Sequence, residues 1–393
     1  MHALILLAAA VAAGTPQFQR HEIADFRDGY QATIADVNGD GRPDVLVLSI
    51  SQNIVVWYEN PTWKEHIIAR TPANIDMAPY DIDGDGRPEI VLASGFYFGD
   101  GTKGGNLQWL KPGRDLNRPW KIHPIATDPV THRVRWGDLD GDGRPELVHI
   151  PFFGPGSKGL KSMKPAHLWA FRLPAHPESE PWPVWKIDET LTMIHGAYVK
   201  DIDGDGRAEI LTASREGIYR FDWEGQGAAA HWCKRHLGAG TPPAANQPDA
   251  PRGSSEVAFG TMGKNRPFLA AIEPWHGNQV VAYFPPGKNA GRGALWTRHV
   301  LTSSFDQGHG LAVADLDGDG RDEIIAGCRG KNHCLAMYVP NDAGDGFREV
   351  MIDKTITVDC TLVTDINGDG RPDLVVVGGG SNKVVWYENK GHE

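Results

Sequence analysis

The sequence predicts an all-β fold, a seven-bladed β-propeller with four-stranded blades. Three observations predict it: an acidic nonapeptide recurring at blade-length intervals, strand-like runs on either side of each copy, and chain ends that supply complementary pieces of one blade. The 47 Gly and 28 Pro follow no short period and read as punctuation between many short strands. With 40% hydrophobic residues in 393, apolar material for a core is ample.

The chain opens on an apolar run with small residues at its end (MHALILLAAAVAAG, 1–14), which reads as a signal peptide followed by a single domain over 15–393. A secreted or periplasmic location follows. The run is too short to span a bilayer and nothing later approaches ~20 apolar residues, so no membrane span is expected. Four cysteines fit an oxidising compartment: Cys328 and Cys334 flank a hairpin (CRGKNHC) and are candidates for a bridge, while Cys233 and Cys360 have no evident mate.

Six nonapeptides share one pattern, DVNGDGRPD at Asp36 being the first. Their positions 1, 3, 5, 7 and 9 are Asp36, Asn38, Asp40, Arg42 and Asp44; Asp81, Asp83, Asp85, Arg87 and Glu89; and Asp138, Asp140, Asp142, Arg144 and Glu146. The later three are Asp201, Asp203, Asp205, Arg207 and Glu209; Asp315, Asp317, Asp319, Arg321 and Glu323; and Asp365, Asn367, Asp369, Arg371 and Asp373. The intervals between first residues are 45, 57, 63, 114 and 50, so one copy is missing midway through the fourth. A degenerate copy, GTMGKNRPF from Gly260 to Phe268, fills that gap but has lost its acids. Seven units exist and six can bind metal.

Oxygen ligands at positions 1, 3, 5 and 9, a Gly at 6 for the bend and the carbonyl of position 7 point to Ca²⁺, up to six ions with a structural role. The plain alternative is an Asp/Gly turn, which six near-identical copies disfavour. The six copies hold 22 of the 50 acidic residues, and six Ca²⁺ would bring the formal charge from −11 to about +1. The acidity is therefore mostly metal-ligand in origin and says little about partners; the formal charge of −11 argues against nucleic acid, which needs a basic surface, and none is expected as a partner.

Each nonapeptide lies between two strand runs, ATIAD before Asp36 and VLVLSI after Asp44, with NIVVWYEN as a third and WKEHIIA as a fourth. The aromatic third strands read as inter-blade core. The last blade stops after its third strand, and FQRHEIAD (18–25) matches the fourth-strand pattern, so the N-terminal strand closes the ring.

These repeats resemble the FG-GAP/VCBS class of propeller repeat, seen in integrin α-subunit heads and exported bacterial proteins, over residues 18–393. The VWYENPTWKEHII phrasing and the histidines below are similar to the propellers of aldos-2-ulose dehydratase and of polysaccharide lyases acting on ulvan or rhamnosyl-glucuronate. The resemblance implies the fold and leaves the activity to the site.

Only strand ends reach the open faces of a propeller. Six residues before each repeat stand Tyr30, Ile75, His132, His195, Ser254, His309 and Asp359, three of them His although His is 16 of 393 residues. The bland alternative has each His satisfying a local backbone group. The loop after the second strand returns to that face with Arg215 and Arg329, and in the degenerate blade with Glu273, Trp275 and His276; Arg133 lies beside His132, and the insertions 95–106 and 151–166 line the same rim.

His, Tyr and Arg around a concave mouth suit an anionic or polyhydroxylated ligand, a polysaccharide or smaller sugar. The sharp reading is a lyase carrying out β-elimination next to a uronate or related group. His132, His195, His309 and Tyr30 would be its acid and base, Arg133, Arg215 and Arg329 would bind the carboxylate, and Trp275 would stack on a ring. A variant places Zn²⁺ or another divalent ion on His132, His195 and His309, with Asp359 or Glu256 nearby. The rivals are a non-catalytic glycan- or protein-binding propeller and a purely structural module. A monomer is expected.

Overall fold

The computed structural model describes residues 14–225, 227–243, 250–264, 266–287, 289–291, 293–341 and 343–392. The run read as a signal peptide lies outside the described residues except for Gly14. Among the described residues twenty-eight strands form seven four-stranded antiparallel sheets, and the only helix is one 3₁₀ turn, Gly227–Ala229. No helix there is long and apolar enough to cross a membrane.

In chain order the first strands of blades 1 to 7 are Gly29–Ala35, Asp76–Tyr80, Thr131–Gly137, Gly196–Lys200, Glu256–Thr261, Gly308–Ala314 and Cys360–Thr364. Each touches the next around the axis, and the seventh touches the first. The second strands lie between neighbouring sheets and so need apolar side chains on both faces. Six of them, such as Asp44–Ser49 and Glu323–Cys328, are buried at every position, which is why their sequences read as continuous apolar runs. The third-strand aromatics Trp57, Tyr58, Trp386 and Tyr387 are buried as expected.

Phe18–Asp25 pairs with Lys383–Asn389, Phe18 opposite Asn389 and Arg20 opposite Tyr387, so the two chain ends complete blade 7. The Asn that ends the third strand clamps adjacent blades: Asn60 donates to Pro43 O and Ile366 O, and Asn389 to Pro372 O and Leu316 O. The degenerate loop of blade 5 is held by its neighbour. At position 8 of blade 6, where four other repeats have Pro, Asp322 accepts from Thr261 N at 2.6 Å and returns its own N–H to Thr261 O at 2.8 Å.

Cys328 and Cys334 face each other across their hairpin with sulfurs 3.3 Å apart and no bond drawn between them.

Candidate functional site

Three first strands begin with a β-bulge. Pairing skips one residue between Gly29 and Gln31, between Thr131 and Arg133, and between Gly308 and Gly310, leaving Tyr30, His132 and His309 outside the ladder. A bulge turns its side chain out of the regular alternation, here toward the axis. His195 precedes its strand and reaches the same place. The ring centroids of His132 and His195 lie 4.9 Å apart and those of His195 and His309 5.0 Å apart, and all three residues are 1–2% exposed. His276, from the turn after Glu273, joins at 4.8 Å from His195 and 5.2 Å from His309.

The hydrogen bonds fix the tautomers. His309 Nδ1 lies 2.5 Å from Asp359 O, a pure acceptor, so Nδ1 carries the proton and Nε2 accepts from the Tyr30 hydroxyl at 3.1 Å. His195 Nδ1 faces Glu256 Oε1 at 2.7 Å and Ser255 O at 3.2 Å, which leaves its Nε2 lone pair toward His276 Nε2 at 3.1 Å. Arg329 bridges Asp359 Oδ1 at 2.7 Å and His276 Nδ1 at 3.3 Å.

Burial lowers the pKa of all four imidazoles, and nearby Arg133 or Arg329 adds in the same direction. All four are neutral at pH 7. Burial raises the Tyr30 hydroxyl against the pull of Arg133 and Arg329, keeping it a phenol. For Glu256 burial works upward, but His195 and Arg133 outweigh it and hold the carboxyl below its usual range.

Aromatic residues roof one side. The insertions 95–106 and 151–166 bind each other through Gly101 and Ser157, and carry Phe96 and Phe152 onto His132 at 5.4 and 5.1 Å. Trp275 stacks on Phe98 at 5.7 Å and completes this roof. The other side stays open as a cleft of about 450 Å³ walled by Tyr30, Arg329 and Asp359 and floored by glycine. A Cβ at Gly379 would stand 2.5 Å from Gly29 O, so only glycine fits there. Below the histidines an axial cavity of about 480 Å³ follows the first strands past Arg133, Arg135, Asp76 and Glu256.

The structure thus brings Tyr30, His132, His195, His309, His276, Arg133 and Arg329 together. Arg133 is not a rim residue but 1% exposed, with Nη2 3.4 Å from Glu256 Oε1. Glu273 is a correction: as the last residue of its strand it points between blades, accepts from Tyr283 Oη at 2.5 Å and Arg298 Nε at 2.9 Å, and is fully buried away from the cleft. Arg215 sits in the turn after Glu209–Ser214 with its N–H bound to Thr192 O. The imidazoles whose nitrogens lie within 4.8 Å of one another are His195, His276 and His309, so His276 replaces His132 in the grouping able to hold a metal. His195 and His309 each give Nδ1–H to an oxygen behind them, Glu256 Oε1 and Asp359 O, the arrangement metal-ligating histidines use, whereas the group behind His276 is the donor Arg329.

On the opposite face, positions 4 and 6 of all six acidic loops take φ of +73° to +89°, a region that favours glycine. The position-1 carboxylate collects loop N–H groups, Asp36 from Gly39 and Gly41 at 2.8 Å. Carboxylate oxygens converge within 4.8 Å in the loops of Asp81, Asp138, Asp201 and Asp315. Buried oxygens of Glu89, Asp140, Asp317 and Glu323 have no partner. Burial, reinforced by neighbouring acids, pushes Glu89, Glu146 and Glu209 up to about 7 and Glu323 to about 8, the signature of a donor set that a cation would satisfy.

Comparison with known proteins places this arrangement. Residues 36–92 match the family described as FG-GAP-like repeat, and residues 104–285 match that described as aldos-2-ulose dehydratase, beta-propeller domain. This chain is a β-propeller that resembles FG-GAP-like repeats over one stretch and the propeller of aldos-2-ulose dehydratase over another. The second match spans His132, Arg133, His195, Glu256 and His276, five members of the axial cluster. Aldos-2-ulose dehydratase of Phanerodontia chrysosporium is 30% identical over 246 residues, 58% of this chain but 26% of that protein. Among solved structures, a candidate 6-phosphogluconolactonase of Bacteroides uniformis (TM-score 0.51, 17% identity, 93% of each chain) shares the fold. So does a chain of the mitotic checkpoint complex (TM-score 0.53, 12% identity, 100% of this chain and 99% of that one).

Proposed function

We propose that this chain catalyses β-elimination on a sugar whose acidic C–H lies next to a carbonyl or carboxylate. The observation that carries the reading is the axial cluster of neutral imidazoles beside a phenol and an arginine, with Tyr30 and Arg329 walling a cleft on one side and His309 lining the axial cavity on the other. Its likeness to a protein named as a dehydratase of aldos-2-uloses supports the same chemistry. A divalent transition-metal ion held by His195, His276 and His309 would supply Lewis-acid polarisation of the substrate carbonyl.

The chain's own groups do the rest. Arg329, fixed by Asp359, orients the substrate oxygen that gathers charge. His132, outside the metal grouping and with Nδ1 unpartnered, takes the proton from carbon. As the C–O bond breaks, Tyr30 gives its proton to the leaving oxygen. Phe96, Phe98, Phe152 and Trp275 exclude water from the reacting face.

The test is incubation with keto-sugars and with uronate-bearing glycans while following ultraviolet absorbance of a conjugated product. Absorbance that vanishes in His195→Ala supports elimination. Saturable sugar binding with no product on any substrate would instead make this a recognition propeller.

We also propose that the acidic loops bind Ca²⁺ and that these ions are structural, each tying the first and second strands of a blade. An ion held at 1,000 times its Kd adds about 4 kcal/mol, so stripping several with EGTA is expected to lower the melting temperature by on the order of 10 °C, restored by Ca²⁺. An unmoved melting temperature would remove the structural role.

A further inference from the structure

Blade 7 makes the cleft by leaving a gap. The loop after the second strand brings Phe96 to this face in blade 2, Phe152 in blade 3 and Arg329 in blade 6, whereas blade 7 has only Gly379 and Gly380 there. Blades 6 and 1 flank the gap.

The backbone leading to the axial residues has an uncommon conformation. Two residues before Tyr30, Ile75, His132, His195 and His309 stand Asp28, Ala73, Val130, Met193 and Gln307, with φ of +50°, +49°, +64°, +51° and +54°. The left-handed region costs any residue that carries a Cβ, and glycine fills it without that penalty. A side chain kept at such a position therefore needs a use. Ala73, Val130 and Met193 are apolar, and the last two are buried against Phe152 beneath the roof, so packing accounts for them. Asp28 and Gln307 are polar and exposed, and they belong to the two blades beside the gap, where both wall the cleft.

The two side chains offer different chemistry. Asp28 Oδ2 accepts from Ser51 Oγ at 2.7 Å and Gln52 Nε2 at 3.1 Å, with Arg27 Nε 3.5 Å away, which fixes the carboxylate and leaves Oδ1 without a partner among the described residues. A carboxylate oxygen only accepts, so Oδ1 suits a hydroxyl and repels a sulfate or a second carboxylate. Gln307 O accepts the Arg329 N–H at 3.1 Å, while its side-chain amide, able to donate and accept, has no partner among the described residues.

We infer that Asp28 and Gln307 are specificity-determining residues of the cleft, binding hydroxyls of the substrate sugar that lie away from its reacting carbons. The inference rests on the sugar reading above and adds which of this chain's residues read the far end of the ring. A hydroxyl fits there, and an anionic substituent does not.

The test is isothermal titration of a six-carbon keto-sugar, and of its monodeoxy analogues, into the full chain carrying Tyr30→Phe, in which turnover is suppressed. Gln307→Gly and Asp28→Gly both suit the left-handed backbone, so both should keep the fold, which melting curves check. Gln307→Gly should weaken binding about fivefold and Asp28→Gly about tenfold or more. Against the analogue lacking the contacted hydroxyl, each loss should disappear. Undiminished affinity in either variant would overturn the paired assignment and leave the elimination reading standing. Weaker binding in both, with no product from the chain that retains Tyr30, would uphold this subsite and remove the elimination. No binding of any of these sugars would overturn both.

Discussion

Tyr30→Phe is expected to reduce turnover by about 10²–10⁴-fold while leaving folding and substrate affinity nearly unchanged. Burial keeps this cleft-wall hydroxyl protonated, and the proton it shares with His309 Nε2 at 3.1 Å would be freed for the leaving oxygen once that nitrogen holds the metal. Removing it deletes one hydrogen bond, worth about 1 kcal/mol, and no packing volume, since the ring remains against Arg133 and His309. The loss should fall on kcat, with KM held by Arg329. Purified variant and wild type are compared on the best substrate from the absorbance screen, with melting curves alongside. Equal rates would show that Tyr30 gives no proton in the rate-limiting step.

How much of this was legible in sequence depends on which physical rule governed each part. The fold follows from repetition: six acidic nonapeptides and one degenerate copy set the blade count at seven, and the match between FQRHEIAD and WKEHIIAR locates the closing strand, because complementary edges have one way to pair. The cluster was found by counting six residues back from each repeat, a rank that survives because each first strand starts at the same height. The β-bulges at Tyr30, His132 and His309 were invisible in that count, although they are what turn those side chains to the axis.

Glu273 shows where counting fails. Loop rank placed it on the rim with Trp275 and His276, but strand alternation governs the last residue of a paired strand, and Glu273 opposite Gln279 points into the blade interface toward Tyr283 and Arg298. Sequence spacing marks Glu256 only as a neighbour of a possible metal; its place opposite His195 depends on contact between blades 4 and 5, which no single-strand pattern encodes. The roof of Phe96, Phe98 and Phe152 lay in insertions without period. Its signal was composition alone, the unusual density of aromatics in GFYFGDG and PFFGPG.

The same burial that keeps the imidazoles neutral makes the protein acid-labile, and stability is expected to fall steeply as pH drops below about 6.5. The sign follows from linkage. Each of His132, His195, His276 and His309 has a folded-state pKa below its unfolded value, so beneath the unfolded pKa the unfolded chain binds more protons than the native one. Stability is complete above that pH and is lost on acidification at up to about 1.4 kcal/mol per pH unit for each imidazole. His149, buried outside the cluster and pushed down to about 3, adds a fifth. The loop carboxylates oppose this when no cation is bound, because burial pushes them up to about 7 or 8 and they would take protons on folding; saturating Ca²⁺ holds them ionised and removes their contribution. Urea unfolding between pH 7.5 and 5.5 measures the slope. In His132→Gln, which leaves the His195, His276 and His309 grouping intact, the slope averaged over that window should be shallower by about 0.7 kcal/mol per pH unit. An identical slope would mean that His132 is not held neutral at the axis, and the base assigned to the elimination would have to be another residue.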